Sequence, residues 1–338
     1  MIIEKYGKHF DYSLIDRNTG WRLQTIAERS IDGLNLGKIK ESIYCPVCGG
    51  NDSDNIIEIY SFTYSKCLHC ELVYLPEISN AEKLKEMYLN NDQELQKSPG
   101  DDLINSDNFR ARVDLICKPK IDFILENTKY KNPKWVDFGC GVGDFVMAAS
   151  EKGCEAVGYD IDNREVEHGQ MNGSNIFCKD INENNAKEIV GLADIVSFIS
   201  VLEHIPNCSS VLDMVVNASK GDANFIIEVP RFNSVSSLIN LNFNDKVSRH
   251  MLPPNHVMLF TDNAFRYMLR KVGLKIDAVW YYGMDINELF GTLLLNKASR
   301  FLDIGDLKTL LNEMQLTLDK SKLCDEMLVV CSKDRSME

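Results

Sequence analysis

No apolar run in the chain approaches the roughly 18 residues needed to cross a bilayer. The opening residues, MIIEKYGKHFDYS, lack the apolar stretch of a secretion signal. Positive charge is also scarce: 37 Lys+Arg stand against 50 Asp+Glu, a formal net charge of −13. That balance works against any partner gripped through phosphates, so nucleic acid is a disfavoured ligand. No internal repeat or low-complexity tract is visible, which argues against a solenoid. What these absences leave is a soluble cytoplasmic protein of 338 residues, 44% of them hydrophobic, long enough for one large domain or two modest ones.

Cysteine, by contrast, is plentiful. Eleven are present, an odd number that cannot be fully paired. Cys45-Pro-Val-Cys48 and Cys67-Leu-His-Cys70 form two CxxC units with eighteen residues between them, and Gly49-Gly50 follows the first as a knuckle turn requires. This is the spacing of a zinc ribbon. Four thiolates complete a tetrahedral Zn²⁺ and leave no open position, so the expected site is structural; a redox pair or chance core cysteines are the competing readings. The other seven (Cys117, Cys140, Cys154, Cys178, Cys208, Cys324, Cys331) are expected to be small buried hydrophobes.

Along the chain we read an N-terminal segment (1–43), the ribbon (44–78), a helical bridge (79–130) and a main domain (131–338). Turns are expected at Asn18-Thr19-Gly20 and Asp32-Gly33, and Ser98-Pro99-Gly100 breaks the bridge. From Trp135 onward, short apolar runs alternate with helical patterns, the mark of successive β-α units. Strands are expected at 134–138, 155–159, 175–178, 193–199, 223–229, 275–282 and 326–332, and a helix at 261–272 capped by Thr261 and stopped by Gly273. The fold class is therefore α/β, a seven-stranded, mostly parallel Rossmann-like sheet with helices on both faces, preceded by the ribbon. Residues 283–325 read as a helical insertion, a candidate lid or the surface of a homodimer.

The run Val136-Asp137-Phe138-Gly139-Cys140-Gly141-Val142-Gly143-Asp144-Phe145 is a strand entering a glycine loop and then a helix. Gly139, Gly141 and Gly143 let the backbone turn and approach a ligand, but Asp144 stands where G-x-G-x-x-G would end, a poor neighbour for a diphosphate. S-adenosylmethionine has no phosphate; it has an α-amino group, a ribose and an adenine. Asp137 lies at the loop, and Asp160, 21 residues past Gly139, ends the second strand, where it can take both ribose hydroxyls, with Asp162 able to share that role. Asp180 ends the third, where it can accept from the adenine amine.

In VDFGCGVGDF, VGYDID and DIVSFISVLEHIP, over roughly 133–282, the chain resembles the class I S-adenosylmethionine-dependent methyltransferases. The resemblance implies that Asp137, Gly139, Gly141 and Gly143 contact the methionine portion, Asp160 the ribose and Asp180 the adenine, with Phe138, Ile161, Ile181 and Ser200 flanking them. CPVCGG and CLHCELVYLP are similar to the zinc ribbon ahead of certain sugar methyltransferases, among them the deoxysugar C-methyltransferases.

Methyl transfer to a hydroxyl needs an aligned acceptor and a base. His204, in Ser200-Val201-Leu202-Glu203-His204-Ile205-Pro206, is the base candidate, with Glu203 beside it; the pair occurs in ubiquinone-type O-methyltransferases, and its bland reading is a loop brace. His256, in the Pro254-to-Phe260 segment, is a second candidate for the acceptor edge. Arg231 and His250 would suit an anionic acceptor such as a nucleotide-linked sugar. The expected function is O-methylation of a small molecule, a sugar or glycan precursor. The alternatives are C-methylation of a nucleotide deoxysugar, methylation of ribosomal RNA, against which the acidic charge counts, and a non-catalytic scaffold.

Overall fold

The structure, a computed structural model, describes residues 2–7, 22–27, 44–76, 108–295 and 308–334. The turns expected at Asn18-Thr19-Gly20 and Asp32-Gly33, most of the helical bridge with its break at Ser98-Pro99-Gly100, and the middle of the 283–325 insertion lie outside those residues.

Twelve strands are formed by the described residues: β1 (Ile3–Tyr6), β2 (Ser53–Ile59), β3 (Phe62–Cys67), β4 (Val73–Tyr74), β5 (Lys134–Phe138), β6 (Glu155–Asp160), β7 (Ile176–Cys178), β8 (Ile195–Ile199), β9 (Asn224–Pro230), β10 (Met258–Leu259), β11 (Leu274–Tyr282) and β12 (Glu326–Lys333). Eight form one sheet in the order β1-β11-β12-β9-β8-β5-β6-β7. Only β12 runs antiparallel to its neighbours β11 and β9. All seven strands expected from the sequence are present within two residues at either end. The eighth, β1, comes from the N-terminal segment and pairs in parallel with β11 at the sheet edge. Its four residues are too short to show a period.

Helices cover both faces. On one, Phe109–Arg112 continues through a π-helical turn at Val113–Cys117 into Lys118–Glu126, and with Asp144–Glu151 buries Ile121, Ile124, Phe145 and Val146 against Trp135 and Ile226. On the other, Cys208–Ala218 and Asp262–Lys271 pack on Phe198, Phe225 and Val229. The second of these helices starts as its sequence dictates, with the Thr261 hydroxyl accepting from Ala264 N at 3.0 Å.

The ribbon shares this second core. Its hairpin β2-β3 continues through β4 to β10, which is supplied by the segment after β9, so the four-stranded sheet β10-β4-β3-β2 ties residues 53–74 to residues 258–259.

Candidate active site

The carboxyl ends of β5, β6, β7 and β8 bring the glycine loop and its acids to one edge. Gly139, Gly141 and Gly143 all have positive φ, and a Cβ at Gly139 would lie 2.6 Å from the Val201 side chain. The loop therefore presses on the segment after β8. Asp160 closes it from the neighbouring strand, accepting from Gly141 N at 2.8 Å and Asp162 N at 2.9 Å. Burial raises its carboxyl above the usual range, and these backbone N–H groups hold it down. Asp180 is exposed two residues beyond β7, whose Cys178 pairs with Asp160. Ile161 and Ile181 stand half-buried beside these acids.

Asp137 lies under the loop, 2% exposed. Ser197 on β8 accepts from Trp135 Nε1 at 2.8 Å and donates to Asp137 Oδ1 at 2.5 Å, which fixes the carboxyl. Burial pushes it up to about 8, against the Ser197 bond. Phe138 stacks on Phe198 below it, ring centroids 5.0 Å apart. Asp162, expected to be able to share the ribose, instead caps the helix Asn163–Met171 and pairs with Arg164.

After β8 and β9, Ser200 has φ of 54° and His250 of 53°, conformations that residues other than glycine rarely keep without support. Ser200 is supported by Glu228, to which it donates from N, toward the backbone O at 3.0 Å, and from Oγ, toward Oε1 at 3.3 Å. His204 and His256 meet edge to face, ring centroids 4.7 Å apart. His204 Nδ1–H donates to the Asn255 carbonyl at 2.8 Å, and burial depresses the ring to about 4 despite that bond. Burial also holds His256 well below the ordinary histidine value, with His204 and His250 adding to the effect. Glu203 is 1% exposed and pushed well up by burial.

Arg231, expected to meet an anionic acceptor, is engaged within the protein: Nε and Nη2 donate to Asp262, and Nη1 donates to the Lys322 and Cys324 carbonyls. Each of its three nitrogens therefore has a partner within the protein. His250 Nε2 faces Asp325 at 3.2 Å and Glu326 at 3.6 Å, inside a buried network that includes Arg249.

The four ribbon cysteines converge. Cys45 and Cys70 Sγ lie 3.5 Å apart, as do Cys48 and Cys67, and Gly50 N donates to Cys48 Sγ at 3.3 Å. Thiolates about 2.3 Å from one tetrahedral ion would lie under 4 Å from each other, so the set fits zinc. None of the eleven cysteines is in a disulfide, and of the scattered seven only Cys178 is exposed.

A family model described as a methyltransferase domain matches residues 109–279, half of the chain. The chain belongs to the methyltransferase domain family. Among curated proteins it is similar to the ubiquinone biosynthesis O-methyltransferase of Methylococcus capsulatus, 29% identical over 106 residues, 30% of this chain and 45% of that protein. The chain thus aligns with under half the length of this relative. Solved structures with a similar outline include a plantazolicin methyltransferase (TM-score 0.48, 14% identity, 75% of this chain and 97% of that one). A methyltransferase from Archaeoglobus fulgidus (0.44, 18%, 67% and 96%) and magnesium protoporphyrin IX methyltransferase from Synechocystis (0.44, 12%, 75% and 94%) are further examples.

The methyltransferase domain contains a cluster around a buried glutamate that sequence reasoning missed. Glu228 on β9 accepts from Lys120 at 2.7 Å, Tyr282 at 2.6 Å and Ser200. Its three partners come from residues up to 108 positions away, and no local pattern marks them. The ribbon also reaches the His204–His256 edge of the methyltransferase domain: Tyr64 donates to the His256 carbonyl at 2.7 Å, Tyr60 to that of Val247 at 2.5 Å, and Leu75 N to that of Val257 at 3.0 Å.

Proposed function

We propose that the protein transfers a methyl group from S-adenosylmethionine to an oxygen of a small molecule, a sugar or glycan precursor, and that its four cysteines hold a structural zinc ion. The observation that carries this reading is Asp144, whose carboxylate, paired with Arg112 at 2.6 Å, occupies the first turn of the helix after the glycine loop, where a diphosphate would need positive potential. Asp160, bonded to Gly141 N at 2.8 Å, stands beside the same loop where a ribose would meet it. When bound, the cofactor supplies an electrophilic methyl on sulfonium. Asp137 would meet its α-amino group, Asp160 the ribose and Asp180 the adenine.

His204 has the tautomer a base requires, because Nδ1 carries the proton given to Asn255 and Nε2 keeps its lone pair. Its low proton affinity keeps it neutral at pH 7 but weak, so alignment of the acceptor carries more of the rate than proton removal. Ser200, His250 and His256 line that edge. The ribbon's part is to prop the His256 segment through Tyr60, Tyr64 and Leu75. The likeness to an O-methyltransferase favours oxygen over carbon as the acceptor atom. Incubation with labelled cofactor and a panel of nucleotide sugars, glycans, phenols and RNA tests the reading. Label in a sugar, stable to base as an ether, is the expected result; label in RNA alone would overturn it.

A further inference from the structure

Glu203 buries a carboxylate whose Oε2 meets no hydrogen-bond partner among the described residues, and His256 Nδ1, also buried, meets none either. A buried carboxylate without a partner is costly unless a cation faces it. His204 Nε2 lies 3.8 Å from Glu203 Oε1, and one donor atom from each of Glu203, His204 and His256 falls within 4.8 Å of the others. Ligands about 2.1 Å from a shared tetrahedral ion lie about 3.4 Å apart, so the Glu203–His204 pair at 3.8 Å is close to that spacing and the widest separation must close by up to about 1.4 Å, within reach of side-chain rotation.

The His204 ring is also held as a metal-bound imidazole is. A backbone carbonyl takes the Nδ1 proton of His204 and leaves Nε2 for an ion. The two histidines approach from different segments, which Val257 N, donating to the Glu203 carbonyl at 2.9 Å, stitches together.

We propose that Glu203, His204 and His256 bind one divalent first-row transition-metal cation, distinct from the four-thiolate site and open to an oxygen of the acceptor; with the ion bound, His204 Nε2 is a ligand and the ion, in place of His204 as a base, activates that oxygen. Two imidazoles and one carboxylate suit Zn²⁺, Co²⁺, Ni²⁺ or Fe²⁺ better than Mg²⁺ or Ca²⁺. Three protein ligands leave positions vacant, whereas the four cysteines leave none. Only the acceptor's part in this depends on the methyltransferase reading; the ion-binding does not.

The test is Co²⁺ uptake by the full chain already loaded with zinc, followed by metal analysis and visible absorption, with S-adenosylhomocysteine binding measured on the same samples. The expected result is one added equivalent per chain, with absorption lacking the thiolate charge-transfer band that cobalt in the cysteine site would show. Glu203→Gln, which removes the charge but keeps the shape, and His256→Ala should each weaken that uptake at least tenfold while retaining zinc. Absence of the added equivalent in the wild type, or equal uptake by Glu203→Gln with folding intact by circular dichroism, would overturn the proposal. Loss of nucleoside binding alone would instead count against the methyltransferase reading.

Discussion

Asp137 shows how a single buried residue links the fold to ligand binding. Its carboxyl, raised to about 8, keeps a proton in the folded protein that the unfolded chain has released above pH 4. The native state therefore binds more protons between these values, and the associated stability, complete below pH 4, falls as pH rises through about 8, by up to about 1.4 kcal/mol per unit. Asp137→Asn should lose this slope, and urea denaturation of both forms at pH 5 to 8 checks it. Parallel slopes would mean that Asp137 does not titrate there. At this scale the sequence was legible where chemistry recurs locally: the three glycines and Asp160 lie at the positions their spacing implied. Ser197 and Glu228 were not legible, because a serine or glutamate inside an apolar strand acquires a role only from partners on other elements. Asp162 and Arg231 make structural contacts that the sequence reading did not weigh, the first capping its own helix and the second pairing with Asp262.

Elements were read well where a turn or cap punctuates them. β5 matches its expected bounds, and the Thr261 cap sits where the sequence placed it. β1 and β10 were missed, since strands of four and two residues carry no period. Arg231 belongs to this scale, because its guanidinium clamps the start of the helix Asp262–Lys271 to the backbone ahead of β12. Arg231→Met should destabilise the protein by about 2–4 kcal/mol while leaving the acceptor KM near its wild-type value, measured well below the melting temperature. A raised KM with unchanged melting would restore the residue to the acceptor site.

Across the whole molecule, the ribbon and the sheet are joined through β10 and a common core, so neither should melt alone. Cys67→Ser, or removal of zinc by a chelator, should lower the melting temperature, keep a single transition and reduce methyl transfer, because the segment bearing His256 loses its support. Two resolved transitions in calorimetry would show an independent module. The broad fold was legible from alternating β-α patterns, but the way the ribbon docks was not, since its contacts run from Tyr60, Tyr64 and Leu75 to backbone atoms nearly 200 residues away, which side-chain patterns do not encode. The central claim is that the glycine loop and Asp160 cradle a sulfonium nucleoside. Isothermal titration with S-adenosylhomocysteine and with NAD⁺ addresses it most directly: one nucleoside should bind per chain, Asp160→Ala should weaken it at least tenfold without unfolding, and NAD⁺ should give no saturable heat. Saturable NAD⁺ binding, or an unchanged Kd in Asp160→Ala, would contradict the account.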